Sequence, residues 1–225
     1  MRLSIIVPAL DEAGGIAGSL APLQPLRRQG HEVIVVDGGS NDGTAALAAP
    51  LADRVIAVQR GRAIQMNAGA SLASGDALLF LHADTRLPDK APALIAQALQ
   101  HRAWGRFDVR IEGRSSWLSL IGASMNLRSR LTGIATGDQA IFATRAAFEA
   151  AGGYPDQPLM EDIELSTRLK RLGPPASLDA RVVTSGRRWE THGVWRTILL
   201  MWRLRFDYWR GVPAARLISR YHPES

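Results

Sequence analysis

The chain has 225 residues, of which 46% are hydrophobic and 21% charged, so it is long and apolar enough for one α/β domain with a substantial core. It contains no cysteine, which excludes a disulfide scaffold and a cysteine-based zinc or nucleophile site and fits a reducing cytosol. The net charge is +6, and residues 181–220 account for the excess with nine arginines against two acidic residues, which points to an anionic partner for this part of the chain.

The hydropathy pattern predicts neither a membrane span nor a leader segment. No apolar run approaches the roughly 20 residues that a transmembrane helix needs. The N-terminal apolar stretch Leu3–Leu10 meets Asp11 and Glu12 too early for a signal peptide. We therefore expect a single cytoplasmic domain over residues 1–225.

Strand and helix signals alternate over the first hundred residues. Apolar runs predict strands over Leu3–Val7, Val33–Val36, Arg54–Val58 and Ala77–Leu81, and the segments between them predict helices over Gly14–Leu26, Thr44–Leu51 and Ala63–Ala73. Unbroken apolar strands separated by helices indicate a mostly parallel sheet that is covered by helices on both faces, in a doubly wound βαβ layout.

Acidic residues stand at the ends of three of these strands. Glu12 follows the first strand, Asp37 ends the second and Asp84 follows the fourth. Ligands of open parallel sheets bind beyond the carboxyl ends of the strands, so these residues are expected at one common site. Such an acidic edge holds an anionic ligand through a divalent metal, or accepts hydrogen bonds from ribose and base donors.

The segment Asp37 to Thr44 has two explanations. Its glycines allow the backbone to approach a ligand closely, and Asp37 can accept a hydrogen bond from a base or ribose. The simpler explanation is a strand exit followed by a helix N-cap at Asn41 or Asp42. Neither the dinucleotide-binding glycine pattern nor a phosphate-binding loop is present.

Two further patterns at the same edge also have two explanations each. Arg62, at the start of a helix, can bind a diphosphate in bidentate fashion or simply face solvent. His82 and Asp84 are separated by one residue after a hydrophobic strand, so both can point at a hard cation such as Mg²⁺. Alternatively, Asp84 and Thr85 form a turn or a helix cap.

The second half of the chain has a mixed pattern. It predicts helices over Ala91–Gln100, Ser115–Leu131 (with Trp117, Leu120, Ile121 and Ser124 on one side) and Ile163–Leu172, and strands over Gly105–Ile111 and Gln139–Ala143. Glu161 and Asp162 precede the last helix, where acids are favoured by the helix dipole or supply a general base. Residues 137–139 form either a polar wall of the site or a plain turn.

A basic amphipathic helix is predicted over Val194–Arg210. Its apolar stripe consists of Trp195, Ile198, Leu199, Trp202, Phe206 and Trp209, and its polar stripe of Arg196, Arg203, Asp207 and Arg210. Three interpretations remain open: packing on the catalytic domain, peripheral contact with an anionic membrane, or an oligomer contact.

The order of these motifs resembles the family 2 glycosyltransferases of the GT-A fold. The ordered set is Pro-x-x-Asp-Glu, Asp-Gly-Gly-Ser-x-Asp-Gly-Thr, a helix with Asn-x-Gly, an aspartate after a hydrophobic strand, Glu-Asp, and Arg-Trp, and it extends from about residue 3 to residue 190. The His-Ala-Asp-Thr and Arg-Arg-Trp-Glu-x-His-Gly stretches further resemble small bacterial enzymes associated with arsenosugar biosynthesis.

The resemblance implies a role for each matching residue. The nucleotide-sugar pocket would be lined by Pro8, Ala9, Leu10, Glu12, Asp37, Arg62, His82 and Ala83, with Asp37 reading the base. Asp84 matches the family's metal-binding aspartate, which implies Mn²⁺ or Mg²⁺. Asp162 matches the catalytic base, and Glu161 would orient acceptor groups. The acceptor side is expected to include Gly137, Asp138, Gln139, Arg188 and Trp189.

Three departures from the family pattern qualify these roles. His82 replaces the first aspartate of the D-x-D motif, so the metal has either one carboxylate or an added imidazole ligand, which would favour Mn²⁺. Ser185 replaces the glutamine of Q-x-x-R-W, which argues against processive polymer synthesis. Gly38 replaces the second aspartate of D-D-G-S, which leaves the nucleotide open.

The expected function is therefore metal-dependent, inverting and non-processive transfer of a sugar from a nucleoside-diphosphate sugar to a hydroxyl acceptor. Residues 1–100 would bind the donor, residues 101–190 would bind the acceptor and supply the base, and residues 191–225 would form the basic segment. The alternatives are a sugar-phosphate nucleotidyltransferase, and a non-enzymatic basic module that binds membrane or nucleic acid. Nucleic acid is not expected, because an acidic edge repels a phosphate backbone.

Overall fold

The fold is organised around a mixed sheet. The computed structural model describes residues 1–221, so the last four residues of the predicted C-terminal segment, 222–225, lie outside the described residues. The strands are β1 (Leu3–Ala9), β2 (Glu32–Asp37), β3 (Arg54–Ala57), β4 (Ala77–Phe80), β5 (Thr85–Arg86), β6 (Trp104–Glu112), β7 (Phe142–Thr144) and β8 (Ala176–Ser185). They lie side by side in the order β3-β2-β1-β4-β7-β6-β8-β5.

The helices cover both faces of this sheet. They are α1 (Ile16–Leu20), α2 (Gln24–Arg28), α3 (Thr44–Ala48), α4 (Arg62–Leu72), α5 (Ala91–Ala98), α6 (Trp117–Thr132), α7 (Arg145–Ala150), α8 (Glu161–Leu172), α9 (Arg187–His192), α10 (Val194–Trp209) and α11 (Ala214–Tyr221), with 3₁₀ turns at Ala21–Leu23, Ala49–Leu51 and Gly137–Gln139. Among residues 1–221, none of these helices has the length and apolarity needed to span a bilayer.

The predicted α/β class with a mostly parallel sheet is confirmed. Strands β1 to β4 pair in parallel, as do β6 and β8, whereas β7 is antiparallel to β4 and β6, and β5 is antiparallel to β8. Alternate residues of β1 enter opposite cores: Ile5 and Val7 pack with α1, α5 and α6, and Ile6 packs with α4 and α8. The carboxyl ends of β1 and β2 are in register, with Ala9 opposite Asp37.

Several predicted elements differ from the structure. The helix over Gly14–Leu26 is broken into α1, a 3₁₀ turn and α2, because Pro22 and Pro25 interrupt the backbone hydrogen bonding. The strand over Gln139–Ala143 begins only at Phe142, since Gly137–Gln139 forms a 3₁₀ turn.

The buried side of α6 also differs from the prediction. Leu118, Ile121 and Asn126 are buried, whereas Trp117 and Leu120 are exposed. The amide of Asn126 explains this orientation, because it exchanges two hydrogen bonds with the backbone of Val109 in β6. A polar residue on the inner side of the helix concealed the true core-facing stripe from the sequence pattern.

Gly105 is expected to tolerate no side chain, because it lies where β6 is paired on both sides. A Cβ at this position would come within 2.5 Å of the carbonyl oxygen of Ala176 and of Cζ of Phe142. Gly105→Ala is therefore expected to lower the free energy of unfolding by about 1–3 kcal/mol. Denaturant titration measures this loss. Gly18→Ala, in open space on α1, is the matched control and is expected to raise stability by up to about 1 kcal/mol.

Candidate active site

The nucleotide-side edge is formed by the carboxyl ends of β1 and β2, which a buried glutamine holds together. Nε2 of Gln65 donates hydrogen bonds of 2.8 Å to the carbonyl oxygens of both Ala9 and Val36. Gln65 lies on α4, three residues after Arg62, and only 4% of its surface is exposed. It was not among the predicted site residues, because the burial of a single glutamine in a helix is not visible in the sequence.

Asp37 is buried, and its carboxylate orders the loop that follows β2. Oδ2 accepts hydrogen bonds from the backbone N–H groups of Gly39 (3.2 Å) and Ser40 (2.9 Å), and Oδ1 accepts one from the Ser40 hydroxyl. This arrangement matches the simpler explanation of a structured strand exit. Reading of a nucleotide base by Asp37 stays a prediction.

The two strand-end loops are also bonded to each other. The N–H of Asp11 donates to Oγ of Ser40, and the N–H of Glu12 donates to Oγ1 of Thr44, both at 2.8 Å. Across the site, Nη2 of Arg187 on α9 lies 2.8 Å from Oε1 of Glu12. The basic C-terminal part of the chain thus reaches the predicted nucleotide pocket through a residue that sequence reasoning did not single out.

The expected N-cap of the next helix is one residue removed from its predicted place. Gly43, with a φ of 90°, occupies the N-cap position of α3, while Oδ1 of Asp42 accepts the N–H of Thr44 at 3.0 Å. The hydrogen bonds that Asp42 accepts from Thr44 and Ala13 lower its pKa. The short polar loop is therefore held in place by side-chain-to-backbone bonds.

His82 follows β4 and is directed at the Gly137–Gln139 turn. Its Nδ1 lies 3.3 Å from Oδ1 of Asp138. A Cβ on Gly137 would come within 2.4 Å of Nε2 of His82, so the ring packs tightly beneath the turn. Nε2 is buried and has no hydrogen-bond partner among the residues described here. Both ring nitrogens thus face the turn.

Asp138 is surrounded by the basic side chains of His82, Arg62 and Arg188. Although 45% of its side chain is exposed, enclosure by the surrounding protein raises its pKa. The hydrogen bond and charge of His82 lower that pKa, and the charges of Arg62 and Arg188 add to this effect, so the net result is a lowered pKa. Asp138 therefore stays ionised in the site.

Asp84 is half-buried beyond the end of β4, next to β8. Its Oδ1 accepts two long hydrogen bonds, from Oγ1 of Thr85 at 3.3 Å and from Oγ1 of Thr184 at 3.4 Å. Within residues 1–221 no group of three or more His, Cys, Asp and Glu side chains gathers to hold a metal. A single weakly bonded carboxylate of this kind fits Mg²⁺ or Mn²⁺ only if substrate phosphates and water complete the coordination.

Glu161 and Asp162 form the first turn of α8. Oδ2 of Asp162 accepts the N–H of Gly137 at 2.9 Å, and Oδ1 accepts the N–H of Ile163 at 2.8 Å. Met160 begins the helix in the left-handed conformation, with a φ of 62°. The Gly137–Gln139 turn thus contacts both His82 and Asp162.

Both carboxyl groups of this pair have raised pKa values. Burial raises the pKa of Glu161, and the adjacent charge of Asp162 raises it further. Burial also raises the pKa of Asp162, and this effect exceeds the opposing effects of its two backbone hydrogen bonds and of Arg62. Nη1 of Arg62 lies 3.7 Å from Oε1 of Glu161. Arg62 therefore lies beside the acidic pair, although 51% of its side chain remains exposed to solvent.

Other residues complete the site without having been predicted. The buried Tyr154 has a pKa well above its usual value, because of burial and the charges of Asp162 and Glu161. Tyr221, on the C-terminal helix α11, stacks with Arg188: Cζ of the Arg188 guanidinium lies 3.8 Å from the centroid of the tyrosine ring. Isolated tyrosines carry no sequence signal, so only the tertiary structure reveals them.

Two predicted acceptor-side residues have structural contacts, and their role at the acceptor stays a prediction. Gln139 is fully buried, where it closes a capping box with Thr136 and donates to Oδ1 of Asn126 at 3.4 Å. Trp189 packs against the core on the α6 side of the sheet. Ala9 and Ala83, which are predicted for the nucleotide-sugar pocket, are also buried.

The C-terminal helices pack on the side of the domain where the acidic pair of α8 lies. Leu204 of α10 and Leu217 of α11 form a small core with Leu159 and Met160, immediately before the acidic pair. Ile198 packs against the main core. The other predicted members of the apolar stripe are more than half exposed: Trp195, Leu199, Trp202, Phe206 and Trp209. The helix therefore packs on the domain by one side only.

Comparison with known proteins gives a family match and several structural matches. Residues 4–148 match the family model of glycosyl transferase family 2, a segment that ends before the acidic pair of α8. No curated protein sequence matches the chain. S. aureus TarS 1-349 superposes with a TM-score of 0.66 at 19% identity, over 82% of this chain and 60% of that chain.

Two further structures show the same fold. One is S. aureus TarS 1-349 in complex with UDP-GlcNAc, with a TM-score of 0.66 at 19% identity, over 82% of this chain and 58% of that chain. The other is the mannosyltransferase PcManGT of Pyrobaculum calidifontis in complex with GDP-Man and Mn²⁺, with a TM-score of 0.63 at 24% identity, over 81% of this chain and 56% of that chain. The chain thus spans about 60% or less of the length of these proteins.

Proposed function

Because the chain belongs to glycosyl transferase family 2, we propose that it transfers a sugar from a nucleoside-diphosphate sugar to a hydroxyl acceptor, with inversion and without processive polymerisation. The predictions of this family, of an enzyme of the glycosyltransferase type and of a GT-A type α/β fold are confirmed. The observation that carries the proposal is the acidic pair Glu161 and Asp162, which has raised pKa values and faces Arg62 at the donor edge.

In this proposal Asp162 is the general base. Its carboxylate is oriented by two backbone hydrogen bonds and retains lone pairs that can accept a proton. The acceptor oxygen forms a bond to the anomeric carbon as its proton passes to Asp162. The bond from that carbon to the donor's diphosphate breaks, and the nucleoside diphosphate leaves with the electron pair. Attack opposite the leaving group inverts the anomeric configuration.

The donor would lie over the loops after β1 and β2. We propose that Pro8, Ala9, Leu10, Glu12, Asp37 and Ala83 line this pocket, with Arg62 close to the phosphates. Arg187 also reaches this edge through its ion pair with Glu12, so its guanidinium is available to a diphosphate on exchange of that pair. Nucleotide-sugar ligands of TarS and PcManGT support a donor of this class.

We propose that Asp84, and not His82, holds a divalent metal. Both ring nitrogens of His82 are directed at the Gly137–Gln139 turn, whereas the carboxylate of Asp84 has only long hydrogen bonds. Mn²⁺ in the PcManGT complex supports a divalent ion of this type. When bound, such an ion neutralises charge on the departing diphosphate.

The acceptor side and the domain halves follow from the same proposal. We assign donor binding to residues 1–100, acceptor binding and the base to residues 101–190, and an anchoring role to the basic segment from residue 191. Glu161, Gly137, Asp138 and Arg188 are the proposed acceptor-side residues, together with the unpredicted Tyr221. Ser185 in place of the family's glutamine supports a non-processive reaction.

We further propose peripheral contact of this enzyme with the cytoplasmic face of an anionic membrane. The exposed apolar face consists of Trp195, Leu199, Trp202, Phe206 and Trp209 of α10, with Trp117 and Leu120 of α6. The rings of Trp117 and Trp195 are in contact, with centroids 4.9 Å apart, so the two helices form one surface. Tryptophans beside arginines are typical of helices that lie in the membrane interface.

The alternatives are less well supported. A nucleotidyltransferase would need a basic glycine-rich loop after β1, where this chain has Asp11 and Glu12. A purely non-enzymatic basic module does not explain an acidic pair with raised pKa values, in which Glu161 is buried and Asp162 half-buried. The narrower resemblance to enzymes associated with arsenosugar biosynthesis remains a proposal for the biological setting.

The proposed donor class is tested by thermal unfolding. Ligands that bind the folded state raise its melting temperature by mass action. We expect a nucleoside diphosphate such as UDP or GDP to raise the midpoint in the presence of Mn²⁺ and to do so much less without the metal. If no nucleoside diphosphate shifts the midpoint with any divalent metal, the donor proposal is wrong.

The pH dependence of the reaction should report the raised pKa of Asp162. A base must be deprotonated, so kcat/KM falls as the pH drops through an apparent pKa above the ordinary aspartate value of about 3.9. Arg62 lowers the pKa of both acids, so Arg62→Gln should move this acid limb to higher pH. The matched control Arg60→Gln, an exposed arginine just before α4, should leave the limb unchanged. A limb that stays in place or moves to lower pH in Arg62→Gln would contradict the assignment.

A further inference from the structure

A basic groove lies between α6 and α10, outside the proposed donor and metal sites. It is lined by Arg128, Trp202, Arg203, Arg205 and Phe206, and its volume is about 520 Å³. The groove is shallow and open to solvent, and most of its exposed lining is apolar. Its walls combine guanidinium groups with aromatic rings, so it suits a ligand that is both anionic and apolar.

The arginines of this groove have hydrogen-bond donors that the protein leaves unused. Nε and Nη2 of Arg128 and Nε of Arg205 are buried and have no partner among residues 1–221. Because these nitrogens are buried, an anion reaches them when the two side chains turn toward the groove; it then supplies the missing acceptors and adds charge-assisted hydrogen bonds. A phosphate group, with several acceptor oxygens, can bond to both guanidinium groups at once.

The groove is close to the proposed catalytic base. Leu204, which precedes Arg205, packs on Met160, and Met160 directly precedes the acidic pair of α8. Arg128 also senses two acidic residues of the site: burial lowers its pKa, while the charges of Asp162 and Asp138 raise it. A ligand held at Arg128 therefore lies next to the acceptor side of the site.

The groove also opens onto the exposed apolar face. Trp202 and Phe206 line the groove and at the same time belong to that face, where 71% and 55% of their surfaces are exposed. An amphiphile would thus place its headgroup between the arginines and its hydrocarbon part along the aromatic side chains.

We propose that this groove binds the phosphate headgroup of an amphiphilic acceptor, a phosphate-bearing lipid whose hydroxyl group reaches Asp162. The proposal rests on the proposed glycosyl transfer and names its acceptor class. In the transfer, the lipid hydroxyl bonds to the anomeric carbon, its proton goes to Asp162, and the nucleoside diphosphate departs. Binding in the groove requires both the negative charge of the headgroup and the hydrocarbon part, and the second requirement distinguishes a lipid from free phosphate.

The test compares vesicle binding of the full chain and of matched variants. Sedimentation with vesicles of phosphatidylglycerol in phosphatidylcholine, and with phosphatidylcholine alone, measures dependence on the anionic headgroup. Arg128→Gln and Arg205→Gln combined should weaken binding to the phosphatidylglycerol vesicles at least about tenfold, because charge-assisted hydrogen bonds are lost. Arg28→Gln and Arg102→Gln combined remove the same two charges from exposed positions at the end of α2 and before β6, and this control should bind like the unchanged protein.

The outcomes separate this proposal from the donor proposal. Equal vesicle binding by the Arg128→Gln/Arg205→Gln variant and by the Arg28→Gln/Arg102→Gln control overturns the headgroup site, as does an absence of vesicle binding by the unchanged protein. Inorganic phosphate is added as a competitor for vesicle binding. If it displaces the protein from the vesicles only at much higher concentration than the lipid does, a lipid ligand is supported. If phosphate and lipid compete equally well, the lipid proposal is overturned. Thermal unfolding is measured for each variant to check that it folds. Mn²⁺-dependent binding of UDP or GDP is measured as well, and its absence in every protein would refute the donor proposal alone. The single variant Arg205→Gln serves if the double variant does not fold.

Discussion

Asp162→Asn is expected to reduce turnover by about 10²–10⁴-fold, the contribution that a general base typically makes. The asparagine side chain cannot take the acceptor proton. It also retains one oxygen acceptor where the carboxylate accepts from both Gly137 and Ile163, so one of these N–H groups loses its partner. Nucleotide binding should remain nearly unchanged, because the donor pocket is built from the ends of β1 and β2.

The measurement is steady-state turnover, combined with calorimetric nucleotide binding and the thermal unfolding midpoint of each variant. Glu164→Gln is the matched control: Glu164 is in the same helical turn, and its contact is an ion pair with Arg168 on the helix surface. This control should keep full activity. Equal turnover of Asp162→Asn and the unchanged protein would remove Asp162 from the role of base.

Asp84→Ala is expected to abolish metal-dependent nucleotide binding. Loss of groups that merely support a metal ligand typically costs 10–100-fold in metal affinity, so removal of the proposed ligand itself should cost at least about 100-fold. Stability should change little, because the hydrogen bonds of Asp84 to Thr85 and Thr184 are long.

Calorimetry of UDP and GDP binding, with and without Mn²⁺, measures this effect. Asp89→Ala is the matched control, since Asp89 is an exposed acid on the same segment. The control should bind as the unchanged protein does. Unaltered Mn²⁺-dependent binding by Asp84→Ala would show that the metal is held elsewhere.

The parallel half of the fold was predictable because its strands are buried on both faces. Runs such as that of β2, whose six residues are all buried, have no competing helical period, and glycines mark their ends. By contrast, β8 was not predicted, because Asp179 and Arg181 interrupt an apolar pattern that only pairing with β6 stabilises. Strand β8 thus depends on tertiary contacts that the local sequence pattern does not contain.

The metal-binding role of Asp84 and the base role of Asp162 come from the order of the motifs and stay predictions. The structure brings the neighbourhoods of these two residues together through the Gly137–Gln139 turn, which contacts both His82 and Asp162. Gln65 and Tyr221 were not identified, because a buried amide and a tyrosine far along the chain give no local pattern. Arg128 was also hidden, since its importance depends on burial beside α10.

This chain is expected to consume a nucleoside-diphosphate sugar, with Asp162 as the base. The most direct measurement is NMR detection of nucleoside diphosphate formed from a panel of UDP-sugars and GDP-sugars with Mn²⁺ and phosphatidylglycerol vesicles. We expect at least one donor to be converted by the unchanged protein, with release of its nucleoside diphosphate, and conversion to fall by about 10²–10⁴-fold in Asp162→Asn. Conversion at the same rate by both proteins, or conversion of no donor by the folded unchanged protein, would contradict the account.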